Sequence, residues 1–150
     1  MYGAILGDII GSTYEFADIK TKKFPLFPAE SDITDDSILT IAVAKARVRS
    51  MEQKRVFGDV LVEELRIMGV EHPYPKGGYG MGYRRWLDEP LSIPYNSCGI
   101  GSAMRVSPCG LIAVTLEEAL DLAEASAEVT HNHPEGIKGA QATAAAIFLV

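Results

Sequence analysis

Thr34-Asp35-Asp36-Ser37-Ile38-Leu39-Thr40-Ile41-Ala42-Val43-Ala44-Lys45-Ala46 (residues 34–46) opens with a hydroxyl and two carboxylates and runs on as an apolar stripe. Ile38, Leu39, Ile41, Ala42, Val43 and Ala46 recur at helical spacing, which predicts a helix over 35–49. Thr34 reads as its N-cap, and Asp35 and Asp36 sit in the first turn, where the helix dipole favours acids. The same residues also read as chemistry. Glu30 and Asp32 precede them, so four carboxylates and a hydroxyl fall within seven residues. Hard oxygen donors of this kind suit Mg²⁺, Mn²⁺ or Ca²⁺ rather than zinc. Neighbouring helical side chains diverge, so two Asp in sequence would serve two adjacent ions better than one. The triplet alone supports both a plain helix start and a metal site.

Working outward, helices joined by Gly/Pro loops account for the rest. Residues 1–11 read as a short apolar helix whose glycines, Gly3, Gly7 and Gly11, leave one face bare, with close helix packing expected at Gly3 and Gly7. Asp8 lies inside that helix and, as a carboxylate among apolar residues, is expected to anchor a neighbouring loop or backbone. A loop spans about 17–33. A second amphipathic helix covers about 53–68, with Phe57, Val60, Leu61, Leu65 and Met68 inward and Gly69 as its stop. Thr115 and Glu118 form a capping box for a helix through about 129, and Pro134 opens a last helix. No alternating strand pattern competes, so the expected class is all-α, a single helical-bundle domain over 1–150.

Bulk properties exclude several functions. The 150 residues suffice for one domain with a real core. A net charge of −6 without a basic patch argues against a nucleic-acid backbone as partner. Cys98 and Cys109 are too few for a disulfide framework, which suits a reducing, cytoplasmic setting. No apolar run reaches membrane-spanning length, and the N-terminus lacks a charged leader. After Lys138 there is no charge, and 142–150 is apolar all round, as expected of a buried helix. That predicts a truncated chain, or a second chain or homo-oligomer partner that covers the helix.

Two glycine-rich segments are candidates for ligand contact. Residues 76–83 (KGGYGMGY) read as a loop ending in Arg84-Arg85-Trp86. Gly99-Ile-Gly101-Ser102-Ala103, continued by Met104-Arg105, reads equally as a phosphate seat or an ordinary tight turn. His131-Asn-His133-Pro134 has H-x-H spacing but no further ligand nearby, so a substrate-facing or core-anchoring histidine is expected in place of zinc.

In order along the chain, GAILGDIIGSTYEF (3–16), TDDS (34–37), GGYGMGYRRW (77–86), NSCGIGSAMRVSP (96–108) and THNHPEGIKGAQA (130–142) resemble the ADP-ribosylglycohydrolases, including the dinitrogenase reductase-activating glycohydrolase. The resemblance implies an all-helical domain with two Mg²⁺ or Mn²⁺ ions at the base of a cleft. It assigns Thr34, Asp35 and Asp36 to the metal site and makes Glu15, with Asp35 and Asp36, a catalytic acid near the scissile bond. Gly78, Tyr79 and Gly80, together with Gly101, Ser102 and the adjoining Met104, match loops around the ADP-ribose diphosphate and ribose, and His131 matches a cleft histidine. The implied activity is hydrolysis of the C1″ glycosidic bond, releasing ADP-ribose from a modified side chain. ADP-ribose or an ADP-ribosylated protein would be the partner. Ile100 stands where many members carry Asn, and the family's second motif, of Asp-x-Asp-Thr type, has no counterpart in these residues. The alternative expectation is therefore a truncated, inactive ADP-ribose-binding or interaction module.

Overall fold

The computed structural model describes residues 1–150 and contains only helices, in the order α1 Tyr2–Gly11, α2 Asp35–Gln53, α3 Phe57–Glu71, α4 Met81–Asp88, α5 Gly101–Met104, α6 Ser107–Ile112, α7 Leu116–Glu128 and α8 Pro134–Phe148. The sole β-type pairing is an isolated bridge between Thr34 and Lys76. The expected all-α class holds. Two helical hairpins, α2 with α3 and α7 with α8, pack together, and the short α5 and α6 wedge between them. Their common core takes Ile38, Leu39, Ala42, Val43 and Ala46 from α2 and Phe57, Val60, Leu61, Leu65 and Met68 from α3. Ala123 and Ala127 of α7 and Ala140 and Ala144 of α8 close it from the other side.

Helix ends follow local chemistry. Thr34 caps α2 by accepting the Asp36 N–H at 3.2 Å, and Thr115 caps α7 by accepting the Glu118 N–H at 3.1 Å. Glu118 reaches back to accept from the Val114 N–H at 2.8 Å, one residue beyond the reciprocal bond of a standard capping box. Helix α2 runs to Gln53, past the expected end at 49, and stops where Lys54 turns left-handed at φ 51°.

Three expectations need correction. Gly69 does not stop α3, which continues to Glu71. A Cβ there would lie 2.7 Å from Leu87 Cδ1, so the glycine is a seat for α4, not a terminator. The glycine-rich segment at 76–83 is a loop only as far as Gly80. From Met81 it becomes α4, which buries Tyr83 and Trp86, while Arg66 of α3 lies over the Trp86 ring at 5.2 Å. Finally, Gly3 and Gly7 pack against nothing, since a Cβ on either would meet no atom within 4 Å. Helix α1 buries none of its residues and is held through Asp8, as its position predicted.

Helix α8 also departs from the expected all-round burial. Only Gly136, Ala140 and Ala144 are buried, Ala142 and Ala146 face outward, and Leu149 is exposed. One small-residue face suffices because Gly110 of α6 lets the two backbones touch. A Cβ on Gly110 would stand 2.5 Å from the Ala144 carbonyl oxygen and 3.0 Å from Ile147 Cβ. Gly110→Ala is therefore expected to lower unfolding free energy by about 1–3 kcal/mol, the usual cost of overpacking. Urea denaturation checks this, and a change within experimental error would show that α6 and α8 can separate freely.

Candidate functional site

The acidic segment is positioned by one tertiary contact. Asp8 accepts the Thr34 N–H at 2.9 Å and the Ser37 N–H at 3.2 Å through Oδ2, and the Thr34 hydroxyl at 2.6 Å through Oδ1. These bonds satisfy N–H groups at the start of α2 that the helix itself leaves open. The Thr34 hydroxyl points its proton mainly at Asp8, with Asp36 Oδ2 a more distant acceptor at 3.3 Å from Thr34 Oγ1. Its oxygen accepts from Asp36 N–H and retains one unused lone pair.

Asp35 and Asp36 then diverge, as adjacent helical residues must. Asp36 lines a hollow of about 320 Å³ together with Gly7, Asp8, Gly11, Ser12, Glu15 and Thr34. The bare glycine face of α1 is one wall of this space. Asp35 lines a separate, deeper cavity of about 250 Å³, between α2, α4, α5 and the segment at His131. Gly80, Tyr95, Gly101, Met104 and His131 are on its walls. Each hollow alone is at or below the lower end of small-molecule sites, about 300–1,000 Å³. A larger hollow of about 740 Å³ opens on the outer face of α2 and α3. Its Arg49 and Glu64 are already paired at 2.7 Å, and it gathers no free polar group comparable to the acidic cluster.

The carboxylates raise one another's pKa values. Burial, then Asp36 and then Glu15 push Asp35 up to about 6. Burial and Asp8 raise Asp36, and burial, Asp36 and Asp8 raise Glu15, with Lys76 as a partly offsetting cation. Such a cluster is matched in kind to a hard divalent cation. It is not matched in number, because no three carboxylate, imidazole or thiol groups converge on one point. What these residues offer an ion is part of a coordination shell, drawn from Thr34, Asp35 and Asp36.

His131 is buried, accepts or donates at Nδ1 with Thr130 Oγ1 at 2.8 Å, and meets the Tyr95 ring edge-on at 5.5 Å. Burial and the nearby Arg105 charge push its pKa down to about 4, so the ring is neutral at pH 7. Its Nε2 abuts Gly101, where a Cβ would approach to 2.7 Å.

The residues singled out from sequence divide into three groups, two that line cavities and one that supports them. Asp35, Gly80, Gly101, Met104 and His131 share one cavity, and Thr34, Asp36 and Glu15 share the other. Glu15 also touches the glycine loop, because a Cβ on Gly77 would lie 2.8 Å from its Oε2. Gly78 lines neither cavity and holds a left-handed φ of 76° beside Arg84. The Tyr79 hydroxyl donates to the His72 carbonyl at 2.8 Å, and Ser102 donates to the Gly136 carbonyl at 2.8 Å. Both side chains are thus engaged in the scaffold, away from the cavities. Tyr95, Ser97 and Arg105 also line the deeper cavity without having been singled out. Only tertiary folding brings them there.

An all-helical scaffold with an acid-lined double cleft is the class defined by this geometry. The chain belongs to the ADP-ribosylglycohydrolase family, whose sequence profile matches residues 1–150. It is similar to the ADP-ribosylhydrolase ARH3 of Mus musculus, at 29% identity over 177 residues, which covers 98% of this chain and 46% of that protein. The ARH3 proteins of Bos taurus and Homo sapiens are likewise 29% identical, each with 98% of this chain and 47% of the relative covered. The chain spans about half the length of the curated relatives it matches. No helix is long and apolar enough to cross a membrane.

The raised Asp35 pKa has a sign that can be measured. An unfolded Asp titrates near 3.9, so without a cation the folded protein resists ionising Asp35. The resulting destabilisation is absent below about pH 4, grows toward pH 6 and is complete above it. Asp35→Asn is expected to melt above the wild type at pH 8 in EDTA, with the gap closing at pH 4. Equal melting temperatures at both pH values would contradict the burial and repulsion described.

Proposed function

We propose that residues 1–150 form one domain that supplies the ribose-holding and acidic portion of an ADP-ribosyl hydrolase cleft. Its substrate would be an ADP-ribosylated side chain, cleaved at the C1″ glycosidic bond to free ADP-ribose and the unmodified side chain. The observation that carries this reading is the divergence of Asp35 and Asp36 into adjoining cavities, with mutually raised carboxylate pKa values and Lys76 as the sole cation offsetting any of them.

Cleavage of a glycosidic bond builds positive charge on the sugar ring in the transition state. Carboxylates fixed before the reaction stabilise that charge without reorganising. Asp35, in the deeper cavity, and Asp36 and Glu15, in the outer one, would flank the reacting sugar from two sides. Asp8 would keep the first pair rigid. Gly80, Gly101, Met104 and His131 would line the subsite of the ribose and its phosphates, with Gly78, Tyr79 and Ser102 supporting the loops behind it. Thr34, Asp35 and Asp36 would hold Mg²⁺ or Mn²⁺, and a bound ion of this kind supplies charge neutralisation and a water of lowered pKa.

A second reading rests on the absence of three convergent ligand groups. On that reading this domain binds ADP-ribose but turns over only when other residues complete the ion's shell. Titration of ADP-ribose by calorimetry, in saturating Mg²⁺ and again in EDTA, tests the binding common to both readings, and release of ADP-ribose from a modified peptide by this chain alone separates them. Saturable heat that requires Mg²⁺ and is lost in Asp36→Ala is the expected result. Equal binding in EDTA would remove the metal from the ribose site, and no binding in either buffer by folded protein would remove ADP-ribose.

A further inference from the structure

Arg105 is a cation without a counter-ion in the middle of the fold. It has 0% solvent exposure, and no carboxylate pairs with it. Its Nη2 donates to the Ser126 carbonyl at 2.6 Å and to Thr130 Oγ1 at 2.8 Å, while Nε has no partner. Burying a guanidinium on these terms is costly, and an apolar side chain of similar volume would serve packing better. The position therefore calls for a role other than stability, and Arg105 lines the same deep cavity as Asp35 and His131.

The Thr130 hydroxyl is the joint of that role. A guanidinium can only donate, so Arg105 occupies one lone pair of Thr130 Oγ1 and leaves the other lone pair and the single proton for His131 Nδ1 and the Tyr95 phenol. Nδ1 of His131 lies 2.8 Å from Thr130 Oγ1. We propose that Arg105, Thr130 and His131 form a positioning relay in which Thr130 donates to Nδ1, fixing His131 as the Nε2–H tautomer and presenting an N–H donor to a phosphate or ribose oxygen of the ligand. This rests on the reading of the cavity as an ADP-ribose subsite. The other groups around the ring fit the same state. The Tyr95 phenol stays protonated, its pKa raised by burial against the opposing effects of Arg105 and Thr130. It can therefore donate to the remaining Thr130 lone pair and leave the Thr130 proton to Nδ1. Asp35 shares the cavity on the α2 side. The Arg105 charge opposes a second proton on the ring, so His131 remains a neutral donor. Gly101 leaves the Nε2 edge uncovered, since any side chain there would meet it. Arg105 and Thr130 act through His131 and touch no ligand themselves.

Nitrogen NMR of the ¹⁵N-histidine-labelled full chain tests the relay directly. The chain has three histidines, so His131 is assigned by its loss in His131→Gln. The expected spectrum has a protonated, pyrrole-type Nε2 and an unprotonated Nδ1 that persist as pH falls to about 5. Thr130→Val should mix the tautomers and weaken ADP-ribose binding about three- to tenfold, the net worth of one neutral hydrogen bond. Thr130→Ser should restore both, which a purely structural threonine would not require. A protonated Nδ1 in the wild type, or an unchanged His131 spectrum in folded Thr130→Val, would overturn the relay. If Thr130→Val does not fold, the wild-type tautomer and the Thr130→Ser spectrum decide alone. The predicted tautomer in a chain that binds no ADP-ribose would uphold the relay and overturn only the ligand reading.

Discussion

One carboxylate sets the geometry on which the acidic cleft depends. Asp8, on a helix that buries none of its residues, takes three hydrogen bonds from Thr34 and Ser37, two of them from backbone N–H groups. Hydrogen bonds to a charged acceptor are among the stronger ones, about 1.5–3 kcal/mol each. They tie α1 to the start of α2, fix the rotation of α2's first turn and so decide where Asp35 and Asp36 point. Because α1 makes so little other contact with the core, this link also determines whether its glycine face borders the outer hollow at all.

The same arrangement accumulates unfavourable charge. Asp8, Glu15, Asp35 and Asp36 all repel one another, and Lys76 offsets only Glu15. Proteins tolerate such repulsion at sites where a ligand or reaction uses it. Here Asp35 lines the same cavity as the buried Arg105 and the neutral His131 imidazole, while Asp36 and Glu15 line the other. On the proposed function, acids beside a buried positive charge would suit a ligand that has both a developing cation and phosphates. Membership in the ADP-ribosylglycohydrolase family is consistent with that division of charge.

Much of the fold was legible because local signals and packing agreed. Thr115 and Glu118 marked α7 within a residue, and the apolar spacing of Phe57 to Met68 marked the inner face of α3. Errors arose where glycine had a tertiary purpose. Gly69 resembles a stop, yet it makes room for Leu87, and the glycines before Met81 obscured the amphipathic α4 that follows. The apolar tail of α8 suggested burial all round, but alanine is small enough that one face against Gly110 is sufficient. At the cleft, the divergence of Asp35 and Asp36 followed from helical geometry alone. Tyr79 and Ser102 lay in the right segments, but their hydroxyls satisfy His72 and Gly136 carbonyls, partners remote in sequence or hidden until the chain folds. Arg105 looked like the tail of a glycine loop. Its burial and its link to Thr130 exist only in three dimensions.

On the proposed function, Asp8 would hold Thr34, Asp35 and Asp36 in place as ligands for a divalent ion. Anomalous diffraction from crystals of the full chain grown with Mn²⁺ addresses it most directly, because the signal locates the metal independently of activity. The expected result is a peak bonded to Asp35 or Asp36 in the wild type and its loss in Asp8→Ala, with α2 otherwise intact. A peak elsewhere, at His131 or His133 for example, or no peak at saturating Mn²⁺, would contradict it.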